Sequence, residues 1–170
     1  TSVQACIDAD PAFAAADLVP ATAATYALDG EQLALPLTAS APVLIYDRAV
    51  FRRAGLDPDA PPRTLAELRA ALVAIVGQGV TADGLTLVNR DWYVSQWMAT
   101  AGVPLALPDN GRSVPAGDVS LVGTVAEDFL AYLQELVGDG LASYLDNGDG
   151  NADLLRLVAA ENRSAMTVHT

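Results

Sequence analysis

Three aromatic side chains, Trp92, Tyr93 and Trp97, fall within six residues of one another, directly after Arg90 and Asp91. Aromatic faces stack on the apolar CH faces of a sugar ring and shield a cleft from water, while nearby polar groups fix hydroxyl positions. On a helix, residues 93 and 97 share one face because they lie four apart, and residue 92 points elsewhere. Trp97 beside Met98 suits a hydrophobic core equally well, so the run stays open between ligand stacking and packing. Ser40 and Ala41 form a second candidate, in the small-residue stretch Thr38-Ala39-Ser40-Ala41 between two apolar runs. A ligand can reach the serine hydroxyl and adjacent backbone N–H groups there. A simple turn serine explains the same residues.

Catalytic chemistry finds less support. A Ser-His-Asp or Cys-His mechanism needs a histidine held by surrounding scaffold, and the only histidine is the penultimate residue, His169. The single cysteine, Cys6, leaves no disulfide framework and no thiol-rich metal site. The polar run from Asp146 to Leu157 puts Gly148 and Gly150 third and fifth and Leu157 twelfth. An EF-hand needs oxygen ligands at those positions, so no calcium loop is expected. No Gly-rich stretch leads into Lys and Ser/Thr, so a phosphate loop is absent as well. The acid count leaves room for a carboxylate-based hydrolase. However, Glu67 and Glu127 sit in helix-capping patterns, and most other acids fall in turns. No cofactor or metal is expected.

The composition is that of a folded domain, with 52% hydrophobic and 18% charged residues in a chain of 170. The net charge is −12, and all nine basic residues are arginine. Contacts to a nucleic-acid backbone need clustered cations, so the acidic balance argues against nucleic acid as a partner and equally against docking on an anionic membrane surface. The apolar runs fall far short of the roughly 18 residues of a membrane span. The opening TSVQACIDAD has neither the basic nor the apolar region of a signal peptide. With no initiator Met, the chain reads as a piece of a longer protein.

These candidates must be held by local elements that the sequence signals. Residues 1 to 32 are Ala-rich and suit one or two short helices, for example Pro11 to Leu18, before an Asp29-Gly30 turn. Leu33 to Leu37 and Pro42 to Tyr46 have strand length. Asp47 can cap a helix to about Ala54, ended by Gly55. The DPDAPPR connector is stiffened by its prolines. Thr64 to Glu67 and Thr124 to Glu127 are capping boxes. The first opens a helix to about Val76 with Leu65, Leu68, Leu72 and Ile75 on one face, and the second opens one burying Val125, Phe129, Leu133 and Leu136. Gly84 to Val88 reads as a buried strand and Trp92 to Ala101 as a helix. Residues 103 to 123 read as a loop or hairpin. Asn151 is a plausible cap for a helix to about Ala160, and Ser164 to His169 is the last strand. Strands alternating with helices indicate an α/β fold.

The segment ALPLTASAPVLIYDRAVFRRAGLDPDAPPRTLAEL, Ala34 to Leu68, closely resembles the hinge region of family 1 extracellular solute-binding proteins of ABC importers. Trp92 to Gly102 resembles that family's aromatic-rich helix, Phe129 to Gly140 its later helix, and Ala159 to Thr167 the approach to its following strand. The order and spacing hold over roughly residues 22 to 168. Asp47 stands where Asn is usual, and Leu65 where Trp is usual. The nearest look is to the branch binding sugars and glycerol-3-phosphate. The resemblance implies a periplasmic-binding-protein-like fold of the second type, incomplete here. Residues 1–38 would then be a remnant of the first lobe, and residues 39–170 the second lobe. It further implies that Ser40 at the hinge contacts the ligand and that Trp92 matches, within one position, an aromatic that stacks on it; Ala41, Tyr93 and Trp97 complete the candidate ligand-binding set. The implied partners are a small solute of carbohydrate or glycerol-phosphate type and the transmembrane permease of an ABC importer. The implied full-length protein is a monomer and an extracytoplasmic, membrane-anchored lipoprotein. A sensory or interaction module reusing the same lobe is the alternative.

Overall fold

Pro42 marks the junction between two units of the computed structural model, Thr1–Ala41 and Pro42–Thr170. The structure describes residues 2–88, 90–145, 152–158 and 163–170.

Unit 1 carries helices α1 (Gln4–Ala9) and α2 (Pro20–Thr25), then a hairpin of β1 (Ala27–Leu28) and β2 (Glu31–Gln32). Pro20 opens α2 at the first helical position, where its missing N–H costs nothing. The hairpin turns through Asp29 and Gly30, at φ 52° and 80°, the positive values that a two-residue hairpin turn of this hand requires. The Gln32 amide ties the unit together by donating to the carbonyls of Ala23 and Ala34. Two expectations fail here. Pro11 to Leu18 forms no α-helix but a 3-10 turn at Ala15–Asp17. No described residue of this unit is buried, so an Ala-rich helix of that length lacks the packing that would stabilise it. Leu33 to Leu37 is not a strand either. Pro36 removes a ladder donor, and Leu37 is 96% exposed.

Unit 2 is built on a mixed four-stranded sheet in the order β3 (Val43–Tyr46), β8 (Ser164–His169), β4 (Asp83–Val88), β7 (Ala142–Leu145). Strand β3 runs antiparallel to β8, with Val43 opposite His169 and Tyr46 opposite Met166. Strand β4 lies parallel to both β8 and β7. The helices between them are α3 (Arg48–Arg53), α4 (Leu65–Gly77), α5 (Trp92–Thr100), α6 (Val125–Gly138) and α7 (Ala152–Val158). A small hairpin of β5 (Ala106–Leu107) and β6 (Asp118–Val119) fills the stretch before α6. The architecture is α/β.

Local chemistry explains most of these bounds. The Asp47 carboxylate accepts from the N–H groups of Ala49 and Val50 and starts α3. Thr64 accepts from the Glu67 N–H, and the Glu67 carboxylate reaches back to the N–H of Arg63. Thr124 and Glu127 repeat the device at α6, through Ala126 and Gly123. In both, the glutamate caps the residue before the threonine, one position earlier than in the usual reciprocal box. The Pro-rich connector is anchored by the Tyr46 hydroxyl, which donates to the Pro58 carbonyl over 2.7 Å.

The core of unit 2 includes Val50, Phe51, Leu72, Ile75, Leu85, Leu136 and Met166, all buried. Gly84 sits where α4 presses on the start of β4. A Cβ there would lie 2.6 Å from Leu72 Cδ2 and 2.9 Å from the Leu141 carbonyl oxygen. The expected strand at Gly84 to Val88 and the last strand at Ser164 to His169 both form. Strand β7 was not anticipated, because its four residues show no alternating pattern. It is brought into register by Leu141, whose carbonyl accepts from Gly84 and Leu85. The expected cap at Asn151 and most of the polar run from Asp146 lie outside the described residues.

Candidate functional site

Strands β4, β7 and β8 are mutually parallel, and open α/β sheets bind ligands outside the carboxyl ends of such strands. Helix α5 begins at that end of β4, started by the Asp91 carboxylate accepting from the Trp92 N–H over 2.9 Å. Its first two residues present an aromatic pair, with the rings of Trp92 and Tyr93 5.4 Å apart and inclined by 58°. Both are half-buried. The Tyr93 hydroxyl donates to the Val168 carbonyl near the end of β8, over 2.7 Å.

The surroundings of Tyr93 are charged as well as aromatic. Burial pushes its phenol above the ordinary value, the negative charge of Asp153 adds to the rise, and the Arg90 guanidinium opposes it. Tyr144 at the end of β7 contributes to the same rise, and burial also lifts its own phenol. Asp153 is completely buried in α7. One carboxylate oxygen accepts from the Thr167 hydroxyl over 2.8 Å, and the other has no hydrogen-bond partner among the described residues.

Beside the pair lies an open apolar cavity of about 500 Å³, whose lining includes Leu44, Leu87, Tyr93, Trp97, Phe129 and Val168. Tyr93 and Trp97 therefore do share a helix face, and Trp92 lies outside the cavity. Trp97 is stacked on Phe129, with ring planes 10° apart, while the neighbouring Met98 is buried. A second cavity of about 500 Å³ lies under the Pro-rich connector and is lined by Phe51, Pro62 and Glu67 among others. The Glu67 carboxylate there is already engaged by Arg63.

The two groups of expected site residues fall in different units. Ser40 and Ala41 are exposed, in irregular chain at the end of unit 1, and Trp92, Tyr93 and Trp97 belong to unit 2. Among the described residues, no group of three or more His, Cys, Asp or Glu side chains could hold a metal ion. Nor, among the described residues, is any helix long and apolar enough to cross a membrane. Sequence reasoning missed Tyr144 and Asp153. Asp153 carried one usable signal: it lies four residues before the buried Leu157, on the inward face of a short helix.

The profile of the bacterial extracellular solute-binding protein family matches residues 6–170. The sn-glycerol-3-phosphate-binding periplasmic protein UgpB of Salmonella typhimurium is 29% identical over 149 residues, covering 86% of this chain and 34% of that protein. Among solved structures, the GacH receptor of Streptomyces glaucescens, described unliganded and with acarbose, superposes with a TM-score of 0.72 at 21% identity, over 96% of this chain and 39% of its own. UgpB from Mycobacterium tuberculosis, in complex with glycerophosphocholine, gives 0.71 at 16% identity, over 99% and 40%. These two likenesses establish the fold, which is periplasmic-binding-protein-like of the second type and present in part. The chain spans about a third of the length of the Salmonella relative and about two fifths of the two solved structures.

Proposed function

Because the chain belongs to the bacterial extracellular solute-binding protein family, we propose that it forms part of the substrate-binding component of an ABC importer. It contributes one wall of the cleft in which the full-length protein captures a small polar solute, a sugar, polyol or glycerophosphate. The observation that carries this reading is the Trp92–Tyr93 pair at the carboxyl ends of parallel strands. That arrangement offers aromatic faces where the sheet topology favours a ligand. The protein binds and releases its solute without chemistry and hands it to a transmembrane permease. It works outside the cytoplasm, as a lipid-anchored monomer. Trp92, Tyr93 and Trp97 are its ligand-facing residues on unit 2, and Ser40 and Ala41 are those on unit 1. The acidic chain, with its few arginines, favours a solute recognised by stacking and hydroxyl contacts.

The test is a thermal-shift screen of the full-length polypeptide against maltose, sn-glycerol 3-phosphate and glycerophosphocholine. A concentration-dependent rise in melting temperature with at least one of them is expected. Failure of every sugar, polyol and glycerophosphate tried would remove the reading.

A further inference from the structure

The described pairing of β4 with β8 ends at Leu85 opposite Met166, two residues short of Val168. Past that point β4 stays paired with β7 as far as Val88, and the Val168 carbonyl of β8 accepts from the Tyr93 hydroxyl of α5. On its other edge, Val168 stands opposite Leu44 of β3, two residues past the junction at Pro42. One side chain thus links the aromatic start of α5, through β8, to the strand that opens unit 2. The neighbouring residue of β8, Thr167, is fixed from α7 by the buried Asp153. Strand β8 is therefore held on successive residues by two helices.

We propose that Tyr93 is a positioning residue: its hydroxyl couples the aromatic pair on α5 to the paired strands β3 and β8. A solute seated against Trp92 and Tyr93 then acts on the strand that enters unit 2. This rests on the function proposed above, and it assigns the Tyr93 hydroxyl to the protein backbone, leaving only the ring for the solute. Removing the hydroxyl leaves a half-buried carbonyl without its donor and frees α5 from the strand pair.

Amide hydrogen exchange tests the coupling, with a matched control already in the molecule. Tyr132 on α6 also donates its hydroxyl to a backbone carbonyl, that of Leu65, over 2.8 Å. In the ligand-free chain, Tyr93→Phe is expected to speed exchange at the β3 and carboxyl-terminal β8 amides about tenfold, with α4 and α6 unchanged. Tyr132→Phe is expected to act on α4 and α6 and leave those strands alone. Equal effects of both variants, or none from Tyr93→Phe, overturn the proposal. The second arm adds sn-glycerol 3-phosphate or maltose to the full-length protein at equal fractional occupancy of wild type and variant. Solute-induced protection of β3 and β8 is expected in wild type and lost in Tyr93→Phe, and protection retained in the variant overturns the proposal. If neither probe binds wild type, the functional reading fails for those solutes, and the ligand-free arm decides the coupling by itself.

Discussion

Trp97 on α5 and Phe129 on α6 lie face to face, with ring centroids 4.2 Å apart and planes within 10° of parallel. The stack joins the helix that carries the candidate ligand face to the longest helix of unit 2, and both rings line the apolar cavity. Trp97 is therefore a packing residue whose outer surface also faces open space. Trp97→Ala is expected to cost about 2 kcal/mol of stability, less than a fully buried tryptophan because it is only half-buried. In a double-mutant cycle with Phe129→Ala, urea unfolding should give a coupling of about 0.5–1.5 kcal/mol.

Among the described residues, the ring contact of Trp92 is with its neighbour Tyr93. Trp92→Ala in the full-length protein is expected to leave stability within about 1 kcal/mol of wild type. Solute affinity should fall tenfold or more, about 1.4 kcal/mol, by calorimetry with whichever solute the thermal screen identifies. An unchanged dissociation constant would remove Trp92 from the site.

Gly84 is required by its surroundings, since its added Cβ meets both the Leu72 side chain and the Leu141 backbone oxygen. Gly84→Ala is expected to lower the urea midpoint by an amount equivalent to about 1–3 kcal/mol. The double variant with Leu72→Ala should fail to restore it, because the carbonyl contact remains and a core leucine has been lost.

The phenols of Tyr93, Tyr132 and Tyr144 are all raised, in each case chiefly by burial. A raised phenol keeps its proton longer in the folded chain than in the unfolded one. Its contribution to stability is therefore complete below the unfolded value of 10.0 and is lost as pH climbs through the higher folded value. Spectrophotometric titration of the native chain should show three tyrosines ionising later than they do in urea. The urea midpoint should decline from about pH 10 upward.

Much of this fold was legible because its signals are local. Asp47, Thr64 with Glu67, and Thr124 with Glu127 announce their helices within four residues, and Ser164 to His169 has the composition of a buried strand. Where the determinant is distant, the sequence is silent. Strand β7 exists because β4 and Leu141 offer it a register, and nothing within Ala142 to Leu145 says so. The Pro11 to Leu18 helix failed for the converse reason, since local propensity there has no core to pack against. The candidate site divides in the same way. The adjacency of Trp92 and Tyr93 is written in the chain, but the partner of the Tyr93 hydroxyl lies 75 residues away. Asp153 was hidden because a lone acid next to a polar run reads as solvent-facing, and only the packing of α7 shows it buried.

The pairing of Val43 with His169 brings the first and last strands of unit 2 side by side, and antiparallel partners stand only about 5 Å apart. Strand β3, which leads out of the junction at Pro42, therefore runs beside β8 although the two are distant in the chain, and a cross-link between positions 43 and 169 would tie them together.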